Sequence, residues 1–262
     1  MEIVKFWDKL GLNHPPFIHP DDKPAIERHK RQGSDLAKYD FDGFVRSTRF
    51  GAFEDHRFHL SLVPVPYAGN LAKADIFILL LNPGFDFVDY YGESRVLEFR
   101  QRIKQNLRQE FDGIEFPFLY LDPEFCWHGG FVWWEKKFRD VATKIAAEKF
   151  GGRYLDALRD LAHRVAAVEL IPYHSISFRD HGLLKDLPSI NQARRFAQAE
   201  LAPRAKKGDV TIIVTRQSKV WGLGESKSRN IVPYEGGLTR GASLGSLTPG
   251  GKAILKRYGI KV

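Results

Sequence analysis

Ala74-Asp75-Ile76-Phe77-Ile78-Leu79-Leu80-Leu81-Asn82-Pro83-Gly84-Phe85 is the stretch that decides the fold. Its six consecutive apolar residues, Ile76 to Leu81, are too few to cross a membrane. They are also too uniformly apolar for a half-exposed element, so they predict a strand buried on both faces. Asn82-Pro83-Gly84 then forces a turn, because proline fixes its own φ and glycine accepts positive φ. A polar amide, Asn82, is left at the carboxyl end of a central strand, where open α/β sheets bind their ligands.

Two further segments read as buried strands: residues 167–171, closed by Pro172, and residues 209–215. Residues 58–65 are mostly apolar and predict another strand, and residues 116–120 a short one. Helices are expected over residues 94–110, with Ser94 as N-cap, and over 133–149, 154–165, 188–202 and 253–258. Residues 21–32 form a short helical candidate. Residues 85–92 read as an aromatic loop, and residues 221–251 as a Gly- and Ser-rich irregular stretch. This alternation predicts an α/β fold with a central, largely parallel sheet. Pro15, Pro16, Pro20 and Pro24 break regular structure early. Residues 1–57 are therefore expected as an irregular N-terminal extension packed on a domain of residues 58–262.

With 262 residues, 43% of them hydrophobic, the chain can bury a sizeable core, which excludes a wholly disordered protein. No apolar run approaches the ~18 residues of a membrane span, and the N-terminus lacks the layout of a signal peptide. A cytoplasmic protein with no membrane partner is the simplest reading. Cys126 is the only cysteine, so no intrachain disulfide or Cys-cluster metal site can form. No HExxH, GxGxxG or GxxxxGK[ST] motif occurs, which leaves metalloprotease, dinucleotide and P-loop readings without support. Neither metal nor cofactor is expected. His56 and His59, three residues apart, read as surface decoration.

The net charge of +8 is unevenly placed. Residues 204–262 hold twelve Lys or Arg against three acids, so the rest of the chain is close to neutral. A surplus confined to one region points to a surface that meets polyanions. Within it, Arg216, Lys219, Lys227 and Arg229 are the candidate nucleic-acid contacts. The expected strand ends deliver Asn82, Glu169 with Pro172-Tyr173-His174, and Thr215-Arg216-Gln217 to one edge of the sheet, with Phe85, Phe87, Tyr90 and Tyr91 one loop away from the first. Aromatic rings beside polar groups in a basic protein fit a pocket that stacks a nucleobase and bonds its edge.

At these residues the chain resembles the uracil-DNA glycosylase superfamily, and its single-strand-selective and mismatch-specific branches most. Leu81-Asn82-Pro83-Gly84 is similar to the family's first motif, and Val65-Pro66-Tyr67-Ala68-Gly69-Asn70 to the approach before it. Glu169-Leu170-Ile171-Pro172 takes the place of the family's base-reading segment, and residues 212–218 that of the strand before its last motif. The resemblance covers roughly residues 60–258. It implies a three-layer α/β/α fold and a DNA-repair hydrolase that flips a base into a pocket and hydrolyses its N-glycosidic bond. On that reading Asn82 positions the attacking water. Gly84, Phe85, Phe87, Tyr91 and Glu169 surround the base, and the partner is nucleic acid, DNA rather than RNA.

Two departures follow. The family's last motif begins His-Pro-Ser, and this chain has no His after His181. Arg240, or Tyr234, is the candidate to replace that donor. Glu169 stands where the family has an Asn. An ionised carboxylate only accepts, so it favours a base edge rich in N–H groups, such as guanine or protonated cytosine. Two alternatives stay open: a non-catalytic nucleic-acid-binding protein on the same fold, and an enzyme that processes free nucleosides or nucleotides.

Overall fold

The computed structural model describes residues 1–29, 39–52, 54, 56–179 and 182–261, apart from the Arg240 side chain. Strands β1 (Tyr67–Ala68), β2 (Ile76–Leu80), β3 (Val165–Glu169), β4 (Thr211–Val214) and β5 (Ile231–Pro233) form one sheet in the order β1-β3-β2-β4-β5. β2, β4 and β5 run parallel, with Ile76 opposite Thr211, Leu79 opposite Val214, and Val214 opposite Pro233. All residues of β2, β3 and β4 are buried, and all are apolar except Glu169 at the end of β3 and Thr211 at the start of β4. The result is a mixed α/β fold with a mostly parallel central sheet. From β2 the chain moves to β3 on one side and later to β4 on the other, so the connections part at β2.

The chain gathers into two compact units. The first holds Met1–Tyr67, Leu81–Glu110 and Glu169–Ala193; the second holds Ala68–Leu80, Phe111–Val168 and Arg194–Val262. The chain passes from one to the other at residues 67/68, 80/81, 110/111, 168/169 and 193/194.

Several elements depart from the sequence reading. Residues 58–65 are buried but form no strand, because their N–H groups bond loop carbonyls: His59 N–H to His174 O (2.9 Å) and Val65 N–H to Pro172 O (2.8 Å). Residues 119–121 form a 3-10 turn where a strand was expected. The aromatic loop is mostly helix Phe87–Arg95, started by a capping box in which Asp86 accepts from Val88 N–H and Asp89 from Asp86 N–H. Val96, with extended backbone, separates it from helix Leu97–Arg108, so Ser94 is no N-cap. Helix Lys23–Arg28 is the described part of the short helix expected over 21–32, and residues 30–38 lie outside the described residues.

Two devices fix the second unit. Asp75, just before β2, accepts two bonds from Arg164 (3.1 and 2.6 Å) and one from Arg257 (3.0 Å). One half-buried carboxylate thus ties helix Tyr154–Arg164 and helix Pro249–Arg257 to the start of β2. Gly69 has φ +86°, and a Cβ there would lie 2.5 Å from Val165 O and 3.2 Å from Ala166 Cα. Backbone thus runs in close contact with β3 at Val165 and Ala166. Gly69→Ala combines left-handed strain with a clash against backbone, and is expected to cost at least about 2 kcal/mol. Thermal unfolding checks this: a midpoint lowered by about 4–8 °C is the expected result, and an unchanged midpoint refutes it.

Candidate active site

The turn after β2 belongs to the first unit. Leu81 O accepts from Ile171 N–H (2.8 Å), which joins this turn to the segment after β3. The Asn82 Nδ2 group donates to Pro83 O (2.8 Å) and to Ser175 Oγ (3.0 Å). Ser175 is fully buried. Both amide hydrogens are therefore spent on fixed oxygens, and the half-buried amide presents Oδ1, its acceptor, with no partner among the described residues.

His174 holds the same turn from below. Its Nδ1 lies 2.9 Å from Gly84 O and its Nε2 3.2 Å from Val63 O. Both ring nitrogens thus face carbonyl oxygens, which only accept. The buried Asp89 carboxylate lies 4.0 Å from the Nδ1 atom. Asp89 thus starts helix Phe87–Arg95 and faces His174 at once.

His59 is a correction. It is not surface decoration but 2% exposed, stacked on Phe85 with ring centroids 3.6 Å apart and planes at 9°. Its Nδ1 lies 3.3 Å from the Tyr90 hydroxyl. Burial, with the charges of His174 and Arg49, pushes its pKa down to about 3, so it is a neutral packing ring. Phe44, Phe87 and Tyr90 meet Phe85 at centroid distances of 5.7–5.9 Å. Phe85 and Phe87 are partly buried and pack on the core cluster of Phe44, Leu62 and Tyr90. Tyr91, 44% exposed and edge-on to Phe41, is the base-stacking candidate that faces solvent. Gly84 is exposed, with open space where a Cβ would stand. Glu169 is buried at the end of β3, its N–H given to Pro66 O (2.9 Å).

The remaining candidates lie in the second unit, in separate places. Arg216, after the carboxyl end of β4, donates to Thr239 O (3.2 Å). Beside it Lys137 donates to Gly241 O and lies 4.9 Å from the centre of the Trp133 ring. Burial, then Arg216 and Lys136, push the Lys137 ammonium below the usual lysine range. Lys219 is exposed on helix Ser218–Trp221. Lys227 and Arg229 line a cleft of about 770 Å³ on the approach to β5. Arg240 sits in helix Leu238–Gly241, and its side chain lies outside the described residues. Tyr234 is 2% exposed, and its hydroxyl donates to Ser243 O (2.5 Å) and accepts from Gly250 N–H (3.2 Å).

Gly241-Ala242-Ser243-Leu244-Gly245 carries the letters of a hydrolase nucleophile elbow. It follows a four-residue helix rather than a strand, and the Ser243 Oγ accepts from Gly245 N–H (3.5 Å) with no histidine bonded to it. The structural context of an elbow is missing. Among the described residues no group of three His, Cys, Asp or Glu side chains is placed to hold a metal.

Ser175 is the site residue that sequence reasoning missed, whereas His174 stands in the strand-end set after Glu169. Ser175 has no motif around it and meets Asn82 across 93 residues of chain. Comparison of the chain with family models, with curated proteins and with solved structures finds no match.

Proposed function

We propose that this chain is a DNA-acting N-glycosylase of uracil-DNA glycosylase-like, three-layer α/β/α type, which flips a nucleobase and hydrolyses its glycosidic bond. One observation carries the reading: the Asn82 amide is locked by Ser175 Oγ and Pro83 O so that its Oδ1 is left to accept from a water. In the reaction the C1′–N bond breaks with its electron pair leaving on the base, the water oxygen bonds to C1′, and the proton it loses passes to solvent, from which the departing base anion is protonated. An amide is too weak a base to drive this alone, so Asn82 acts by holding the water in line while an oxocarbenium-like sugar develops. Within the first unit Tyr91 stacks on the base and Glu169 accepts from its N–H edge; in the second unit Arg216 and Lys219 are by themselves candidates for phosphate.

The test is a panel of labelled oligonucleotides, each carrying one modified or mismatched base, treated with alkali after incubation. Cleavage at one base supports the reading. A second reading, a nucleic-acid binder without turnover, is favoured by the lack of any His after His181 and by the engaged hydroxyl of Tyr234. It predicts that the oligonucleotides are bound but never cleaved. Release of base from a free nucleoside, with the polymer ignored, refutes both.

A further inference from the structure

We infer that the cleft of about 770 Å³ in the second unit is a binding site for the phosphodiester backbone of a nucleic acid, separate from the carboxyl end of the sheet. Its location follows from topology. Helix Ala202–Lys207 ends at Gly208, immediately before β4, and Asn230, whose carbonyl accepts from Ile212 N–H (2.8 Å), leads into β5. Because β4 and β5 are parallel, Gly208 and Asn230 mark the amino ends of both strands. Arg216 follows the opposite end of β4, about 13 Å away along four residues of strand. The basic region from residue 204 onward is therefore not one patch, and Lys227 and Arg229 stand apart from Arg216.

The cleft is lined by four exposed cations, Lys206, Lys207, Lys227 and Arg229, against one acid, Glu225. None of the four makes an ion pair with another described residue. Like charges gathered around one space repel, and an anion entering it removes that repulsion. Three of the uncharged side chains there already donate inside the protein: Asn230 Nδ2 (2.9 Å) and Ser228 Oγ (3.5 Å) to Ala205 O, and Gln198 Nε2 (2.7 Å) to Trp221 O. No aromatic ring lines the cleft, so it offers nothing for a base face to stack on. Point charges without rings or free edge-readers recognise phosphates along a strand and disregard sequence.

The inference does not depend on base release and is tested apart from it. Anisotropy of a fluorescein-labelled 20-nucleotide single strand is followed with the full chain from 0.05 to 0.2 M KCl. K227Q/R229Q is expected to weaken binding about 20-fold at 0.1 M salt and to lower the salt slope by about 1.4. K252Q/K256Q removes the same charge from two exposed positions of helix Pro249–Arg257 and is expected to change affinity less than about threefold. K227R/R229K keeps the charge and is expected to restore binding. Equal losses in the two Gln pairs, or no loss in the first, overturn the proposal. So does displacement of the strand by tripolyphosphate at equal phosphate concentration, which marks a small-anion site. Base release with an unchanged salt slope in K227Q/R229Q sinks the cleft alone, and a lowered slope without base release sinks the glycosylase reading alone.

Discussion

Asn82→Ala is expected to lower base release at least about 100-fold while oligonucleotide affinity stays within about twofold. The split follows from what the side chain touches. Its two N–H groups are spent inside the protein, on Pro83 O and Ser175 Oγ, so it has only an acceptor left to offer. An acceptor repels phosphate oxygens and cannot anchor a backbone. It can orient a water whose attack matters only as the C1′–N bond breaks. Ser175→Ala supplies the graded companion. That serine is fully buried and touches no solvent-facing surface, yet it fixes one amide hydrogen. Its loss lets the amide rotate, and a roughly tenfold drop in turnover with unchanged affinity is expected. Wild-type turnover in Asn82→Ala refutes the water-holding role. A drop in affinity that matches the drop in turnover reassigns the residue to binding.

The parts of the fold legible in the sequence are those set by local composition. β2 and β4 stand within two residues of their apolar runs, because a strand buried on both faces admits little else. β3 begins two residues early, at Val165, since the helix before it ends there and the periodicity of the helix ran into the strand. β1 and β5, of two and three residues, carry no periodic signal at all. The site divides along the same line. Asn82 is marked by the turn chemistry around it, whereas Ser175 and His174 reach it only through tertiary contacts. Spacing from His56 says nothing about burial of His59, whose setting between Phe58 and Leu60 in an apolar run is what accompanies its burial. The basic surplus was visible as a count, but its division between the two ends of β4 depends on strand direction, which composition does not encode.

Glu93 should make the protein lose stability as pH rises, and Glu93→Gln should abolish that loss. The residue is half-buried on helix Phe87–Arg95, with both carboxylate oxygens against Val63 N–H at 3.0 and 3.2 Å. Burial, reinforced by the Asp89 charge, pushes its pKa up to about 8, against the pull of the Val63 bond and of Arg100 and Lys104. Below the ordinary value of 4.5 it is protonated whether the chain is folded or not, and the folded state keeps its full advantage. Between 4.5 and 8 the unfolded chain releases the proton while the folded one retains it, so stability falls with each step of pH; above 8 the loss is complete. The total is at most about 5 kcal/mol. Glutamine keeps an acceptor for Val63 N–H and has no proton to lose. Urea midpoints are therefore expected to coincide for the two proteins near pH 4.5 and to separate by pH 9, with the variant the more stable. The same residues connect this titration to the site, because Val63 O accepts from the His174 ring that also holds Gly84 O. Parallel midpoints across the range, or a variant less stable at pH 9, contradict the assignment.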